Sequence, residues 1–431
     1  MKSPVESPVL RRIRPGDRTA VRRFWSRRQA TGTPLTEAIR GDPEHCRVTF
    51  LWRSARACDV SVLSSLDSYS RDGGRLTRLS GTDIWYKSYH VRSDVRTVYY
   101  ITDALPPGGR PSIAQWVQYY RRWQKDPLNP QEFLFPADPE DPEDRDQVGS
   151  VLTLPSARPH PRLAGAPPTG VGRIELQRFR SRTLGNVRRI WIYRPPPLSG
   201  SKSVATNLLV VFDGQAYLTL VPTPTVLDRL QARGQIDPTY AVLIDSLSNE
   251  VRSRELRCNR TFAASLVREI LPWAERKLRQ SFTPERRVLV GSSLGGLAAA
   301  YVALRYPGKF GNVLSQSAPF AWAPEDEEPS LLPREYAAAR RTAARFCLEA
   351  GILETDTRGL TGSIPSILDS NRHMRDVLRA KGYHVVYREF AGGHDYLWWR
   401  DTLGPALRTL LRRSRSGFVT TEGRRRVAAR N

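Results

Sequence analysis

The chain is poor in the residues that mark secreted, disulfide-built or membrane proteins. Among 431 residues there are four cysteines, Cys46, Cys58, Cys258 and Cys347. None is in C-x-x-C spacing, so reduced thiols in a cytosol are expected rather than a disulfide framework or a thiolate metal site. No apolar run reaches the roughly 18 residues that a transmembrane helix needs. The basic N-terminal stretch Arg11-Arg12-Ile13-Arg14 runs into Pro, Gly, Asp and Arg with no apolar segment behind it. No secretory leader is expected, and the expectation is a cytoplasmic protein without a membrane partner.

Acidic residues are scarce as well. Asp and Glu number 43 against 67 Lys and Arg, a formal charge of +24. Such a balance invites a nucleic-acid reading, but the charge is badly placed for one. Residues 1–28 carry +7 and residues 412–431 carry +6, both expected to be frayed ends, which leaves +11 for the body. No zinc finger, K-homology loop or RNA-binding aromatic pair is present. The body charge suits steering of an anionic substrate, and arginine spread over an ordinary surface gives the same count. No nucleic-acid partner is expected, and the sequence is silent on oligomeric state.

What the chain does have is Gly291-Ser292-Ser293-Leu294-Gly295, a G-x-S-x-G sequence. It lies between the apolar run Arg287–Val290 and the Ala-rich segment Gly296–Leu304. A strand before and a helix after is the context of a nucleophile elbow, in which a turn too tight for flanking side chains pushes the serine out at the sheet edge. Ser293 is therefore the expected nucleophile. The N–H of Leu294, at the helix start, is one expected oxyanion donor. A second is expected from Asp213-Gly214-Gln215, after an earlier strand, where Gly214 would let the backbone come close; a plain strand-ending turn is the alternative.

A serine nucleophile needs a base and an acid. Of six histidines, His394 sits in the loop Gly392-Gly393-His394-Asp395 after a late strand, where this fold places its base. His384 falls inside that strand and His373 on a helix-like segment, so both read as ordinary residues. For the acid, the run Ala344–Leu348 reads as a buried strand. Glu354 and Asp356 both follow it closely enough to receive the imidazole N–H, while Glu349 is still on the strand.

Around these residues the pattern separates two domains. A short helix at Val21–Arg28 precedes strand-like runs at Val48–Arg53, Asp59–Leu63, Arg75–Leu79, Ile84–Val91 and Arg96–Thr102, which argue for a β-sandwich over residues 1–150. Asp72-Gly73-Gly74 reads as a hairpin turn. Pro-rich and acidic residues fill 136–143, and a Pro-rich linker is placed at 151–172. Strand and helix signals then alternate over 173–411, the signature of an α/β domain. A basic tail occupies 412–431.

These segments together resemble the enterochelin esterase family, cytoplasmic hydrolases that open the ester bonds of ferric tricatecholate siderophores. The resemblance runs from Val48-Thr49-Phe50-Leu51-Trp52-Arg53 to Trp399-Arg400. It takes in Leu79–Trp85, Asp126–Pro130, Phe212–Gln215, Arg254–Asn259, Gly295–Leu297, Val313–Ser317, Leu348–Glu354 and Gly392–Asp395. It implies an α/β-hydrolase catalytic domain behind a smaller, mainly β N-terminal domain. It also implies Ser293 as nucleophile, His394 as base and Glu354 rather than Asp356 as acid. Relatives often carry Gln or a bulkier residue before the nucleophile, where this chain has Ser292.

The implied substrate is a ferric catecholate siderophore, with no cofactor and no catalytic metal, since the iron arrives with the substrate. Arg254 could face the catecholates, with a salt bridge to Glu255 or Glu250 as the bland alternative. Trp85 and Trp399 are further candidates for the pocket. Core packing is the expected role for at least one of the pair Trp398 and Trp399. The N-terminal domain is expected to close the pocket through Thr82–Trp85 and the aromatics between Trp116 and Trp123. Its removal should then spare small esters. Two other readings remain: a hydrolase or acyltransferase for a different ester, and a nucleic-acid-binding protein on a hydrolase scaffold.

Overall fold

The computed structural model describes residues 7–67, 71–103, 121–142, 144–158, 170–197, 206–356 and 365–411. Trp116, residues 159–169 of the Pro-rich linker and the basic tail lie outside the described residues.

The basic N-terminal stretch is folded from residue 7, contrary to the expected frayed end. Helix α1 (Pro8–Arg11) and helix α2 (Arg18–Thr31) follow one another, and α2 is longer at both ends than the pattern suggested. Asp17 caps α2 by accepting from the Ala20 N–H at 2.8 Å, and Gly32 ends it at φ +77°. Most of the arginines are exposed, Arg28 being the buried exception, while Leu10, Phe24 and Trp25 pack on Leu51, Ile84 and Tyr86 of the next domain. Amphipathicity holds this segment down despite its charge.

The N-terminal domain is a sandwich of two four-stranded sheets. Its strands are β1 (Leu35–Ile39), β2 (Asp42–Arg53), β3 (Ser61–Ser64), β4 (Thr77–Arg78), β5 (Ile84–Arg92), β6 (Arg96–Thr102), β7 (Glu132–Phe135) and β8 (Gln147–Thr153). One sheet runs β1-β2-β5-β4 and the other β3-β6-β8-β7. Val48, Phe50, Val62, Trp85, Tyr99, Ile101 and Leu152 fill the space between them. β8 continues past residue 150, so the expected domain boundary cuts a strand. Asp72-Gly73-Gly74 belongs to a helical turn, α3 (Arg71–Gly74), not to a tight hairpin. Gly74 is needed there because a Cβ would lie 1.9 Å from the Val62 carbonyl oxygen.

The second domain is one eight-stranded sheet. Its strands are β9 (Arg173–Ser181), β10 (Asn186–Arg194), β11 (Asn207–Val211), β12 (Thr239–Ile244), β13 (Arg287–Ser292), β14 (Asn312–Gln316), β15 (Arg345–Gly351) and β16 (His384–Phe390). The order is β16-β15-β14-β13-β11-β12-β10-β9. β9, β10 and β12 pair antiparallel and the remaining neighbours parallel. Every residue of β11 and β14 is buried, as required of strands covered on both faces. Five helices matter below: α4 (Gly214–Thr219), α5 (Asn249–Leu256), α6 (Leu294–Arg305), α7 (Ile367–Ala380) and α8 (Tyr396–Leu411). The architecture is an α/β hydrolase behind a β-sandwich. The loops at the carboxyl ends of β11, β13, β15 and β16 lie on one edge, where open α/β sheets bind ligands. Among the described residues, no helix is long and apolar enough to cross a membrane.

Candidate active site

Ser293 stands between β13 and α6 at φ 53° and ψ −127°, a region that non-glycine residues avoid. Such strain costs on the order of 1–3 kcal/mol and persists only where neighbours enforce it. Here the Ser293 N–H donates to the Gln316 carbonyl at 2.8 Å, and its own carbonyl accepts from Gly296 and Leu297 at 3.0 and 3.1 Å. The two flanking glycines meet across the turn, where a Cβ on Gly291 would sit 2.4 Å from the Gly295 carbonyl carbon. Leu294 is the first residue of α6, so its N–H has no acceptor within the helix and remains available to an anion.

The loop after β16 carries His394. Its Nδ1 donates to Glu354 Oε1 at 2.6 Å, which leaves Nε2 as the nitrogen that can accept a proton. Glu354 is almost wholly buried, and its second oxygen accepts from the Gly351 N–H at 2.6 Å. Asp356 is exposed. Of the two carboxylates left open by spacing, Glu354 is the one in contact with the imidazole. Glu349 stays on β15, fully buried, where loss of hydration pushes its carboxyl up despite hydrogen bonds from Thr402 and Gln316.

Ser293 and His394 open onto a cavity of about 1520 Å³ that both domains line. Trp399 and Tyr396, from the start of α8, form one side. The Trp399 ring stands edge-on to His394 at 4.9 Å between centroids, and its Nε1 donates to Ser317 Oγ at 3.0 Å. Trp398 packs away from the cavity, stacked on Phe390, with Nε1 donating to the Arg96 carbonyl at 2.6 Å. The opposite wall comes from the sandwich domain, through Trp123 and the stretch around Pro136–Val148. By composition the Pro-rich, acidic part of this stretch reads as linker-like. In the structure it is anchored: Asp138 binds the buried Arg189 guanidinium, which also holds Asp245 at 2.7 Å and Gln215 at 2.8 Å.

Arg254 is exposed and does not line the cavity. Among the described residues Arg254 forms no salt bridge with Glu250 or Glu255, and Glu255 is taken by the buried Arg188 at 2.8 Å. The arginine of α5 that lines the cavity is Arg252, two residues earlier and therefore on a different face of the helix. It clasps Asp213 with two hydrogen bonds of 2.7 and 2.8 Å. Burial alone would lower the Arg252 guanidinium, but the adjacent Asp213 holds it above its usual value.

Gly214 is not among the cavity residues, whereas Asp213 and Gln215 are. A Cβ on Gly214 would lie 2.6 Å from the Leu243 carbonyl carbon, so close packing of α4 on β12 accounts for this glycine. Trp85 is also elsewhere. It lies in the sandwich core and donates to the Ser54 carbonyl at 3.0 Å. Thr82–Trp85 faces α2, where Trp25 Nε1 donates to Asp83 at 2.9 Å, so the expected lid contact is not made there. Cationic steering does not localise to the cavity, whose described lining holds six aspartates against five Lys or Arg residues.

Comparison with known proteins agrees with this architecture over both domains. Residues 181–410 match the family described as putative esterase, and residues 47–163 match the enterochelin esterase N-terminal family. An iron(III) enterobactin esterase of Dickeya dadantii is 32% identical, the match covering 90% of this chain and 92% of that protein. The crystal structure of a ferric enterobactin esterase from Salmonella typhimurium is 27% identical, with a TM-score of 0.68 and coverage of 90% of this chain and 98% of that one. That of the enterobactin esterase from Shigella flexneri in the presence of enterobactin is 27% identical, with a TM-score of 0.66 and coverage of 92% and 99%. The chain is an ester hydrolase and belongs to the enterochelin esterase family.

Proposed function

We propose that this chain is a serine esterase that opens the trilactone backbone of a ferric catecholate siderophore, enterobactin or a close analogue, and so releases iron in the cytoplasm. The observation that carries the reading is the placement of Ser293 and His394 on a cavity of about 1520 Å³ that two domains wall. A simple ester needs no second domain, whereas a bulky tricatecholate needs walls on several sides. The relatives named for enterobactin and the match to the N-terminal family support the same substrate.

In this mechanism His394 Nε2 takes the proton of Ser293 Oγ as that oxygen attacks a seryl-ester carbonyl. Glu354 fixes the imidazole tautomer and stabilises the imidazolium. The Leu294 N–H stabilises the oxyanion, and the backbone of Gln215, the residue after Gly214 that does line the cavity, supplies the second donor. His394 then protonates the departing seryl hydroxyl, and water cleaves the acyl-enzyme with the same histidine as base. Arg252 offers a cation and Trp399 and Trp123 offer ring faces to the catecholates. The chemistry assigned to Ser293 and His394 runs without a cofactor, and iron is part of the substrate.

The test is mass spectrometry of products from ferric and iron-free enterobactin, with a p-nitrophenyl ester alongside. Linear trimer, dimer and monomer of dihydroxybenzoyl-serine are expected, and none with Ser293→Ala. Cleavage of the p-nitrophenyl ester with the trilactone left intact would overturn the substrate.

A further inference from the structure

On the sandwich sheet that does not face the cavity, two imidazoles and a carboxylate converge. His45 on β2 and His90 on β5 stand diagonally, since His45 is opposite Arg92 and Arg47 is opposite His90. Their rings stack at 4.6 Å with an interplanar angle of 22°. Asp42 reaches the same point from the β1–β2 turn, where Gly41 at φ +82° and a register shift at Ala38/Ile39 swing the strand start over. His45 Nδ1 lies 3.0 Å from both Asp42 oxygens, and His90 Nε2 lies 3.3 Å from Oδ2. All three ligand atoms fall within 4.8 Å of one another.

The two nitrogen–oxygen spacings, hydrogen-bond lengths in the metal-free protein, also fit ligands around one ion. Bonds of about 2.1 Å from a metal to nitrogen or oxygen put neighbouring ligands roughly 3.0 Å apart at a right angle and roughly 3.4 Å apart in a tetrahedron. We propose that Asp42, His45 and His90 form a surface site for a divalent first-row transition metal, separate from the esterase centre. Two imidazoles and one carboxylate suit Zn²⁺, Ni²⁺, Cu²⁺ or Fe²⁺ rather than Mg²⁺ or Ca²⁺, and water fills the remaining positions. In the metal-free protein His45 Nδ1 donates to Asp42; metal entry requires the tautomer with the proton on Nε2, which frees the Nδ1 lone pair. Two cations flank the site. Arg92 is engaged by Asp94 at 2.7 Å, and Arg47 is the one that opposes metal entry. A metal here would pin the β1–β2 turn to β5.

The experiment is calorimetric titration of the full chain with Zn²⁺ and separately Ni²⁺ at pH 7.5, with Mg²⁺ as control. One equivalent of Zn²⁺ is expected to bind. His45→Gln and His90→Gln should each weaken that binding at least tenfold, while melting temperature and ester hydrolysis in metal-free buffer stay unchanged. Zn²⁺ affinity and stoichiometry that survive His90→Gln, a variant on an exposed strand face, overturn the site. So does Mg²⁺ binding as tightly as Zn²⁺.

Discussion

Thr97, on the N-terminal sandwich, donates its hydroxyl to Asp395, the residue after His394, at 3.1 Å. The contact is one of several that seat the histidine loop on the other domain. The Arg96 N–H donates to the Ala391 carbonyl at 2.9 Å, and the Arg96 guanidinium pairs with buried Asp401 over the Trp398 ring. Gly393 lies so close to Ser65 that a Cβ would fall 1.9 Å from its hydroxyl oxygen. The sandwich therefore does more than roof the cavity; it holds the loop that carries the expected base. Thr97→Val should lower kcat about tenfold on a small p-nitrophenyl ester and on the siderophore alike, with KM little changed, because geometry rather than binding is lost. Thr97→Ser should restore it. Steady-state kinetics on both substrates decides, and loss confined to the siderophore would reduce the sandwich to a lid.

The same seating reverses what the sequence suggests for a truncated enzyme. A chain starting near Pro168 is expected to lose small-ester hydrolysis together with siderophore hydrolysis, since Arg96, Thr97 and Ser65 all go. Survival of the small-ester rate, compared per folded molecule by circular dichroism, would contradict this.

Within the site, Glu354→Gln should reduce turnover by about 10³–10⁴-fold through a misoriented imidazole, and Asp356→Asn by less than about twofold. Ser293→Ala should remove turnover while leaving siderophore binding, read by fluorescence quenching. Equal effects at residues 354 and 356 would remove Glu354 from its assigned role.

Arg252 and Arg254 make a paired test of cavity placement. Arg252→Ala should cut kcat/KM for the ferric siderophore at least tenfold and also lower the melting temperature, because it strands buried Asp213. The double change Arg252→Met with Asp213→Asn should recover stability without recovering the siderophore rate. Arg254→Ala should change neither.

Asp395 offers a prediction in pH. Burial pushes its carboxyl up to about 6, against hydrogen bonds from Thr97 and Trp398 that favour the ionised form. The folded state thus holds this proton more tightly than the unfolded chain, so its contribution to stability falls as pH rises from about 4 to 6 and stays low above. Asp395→Asn removes that loss and still caps α8. Its melting temperature should exceed wild type at pH 8, with the gain vanishing near pH 4.5. A gain that grows toward acid pH would reverse the assignment.

Much of this was legible in the chain. The elbow could be read because its glycines and serine are adjacent in sequence and each is forced by local geometry. The parallel strands could be read because they are short, apolar and bounded. Arg252 was missed in favour of Arg254 because α5 is charged nearly all round, so no hydrophobic stripe fixes which arginine faces inward. β1 and β7 were missed because each is short, and only Leu35 and Phe133 of them are buried. The wall at 136–148 was missed for a different reason. Acidic, proline-rich sequence reads as solvated loop, and only the partner Arg189, 51 residues away from Asp138, gives it a fixed place.

The seating of the histidine loop also sets when an enzyme can exist. Thr97 and Asp395 are 298 residues apart, and Arg96 and Trp398 are 302 apart. Contacts of such separation close late, after local strands and helices have formed. On refolding, hydrolytic activity should therefore return after the helix and strand signals have recovered. During synthesis, the nascent chain has no competent site until its final described helix has left the ribosome and docked on the domain made first.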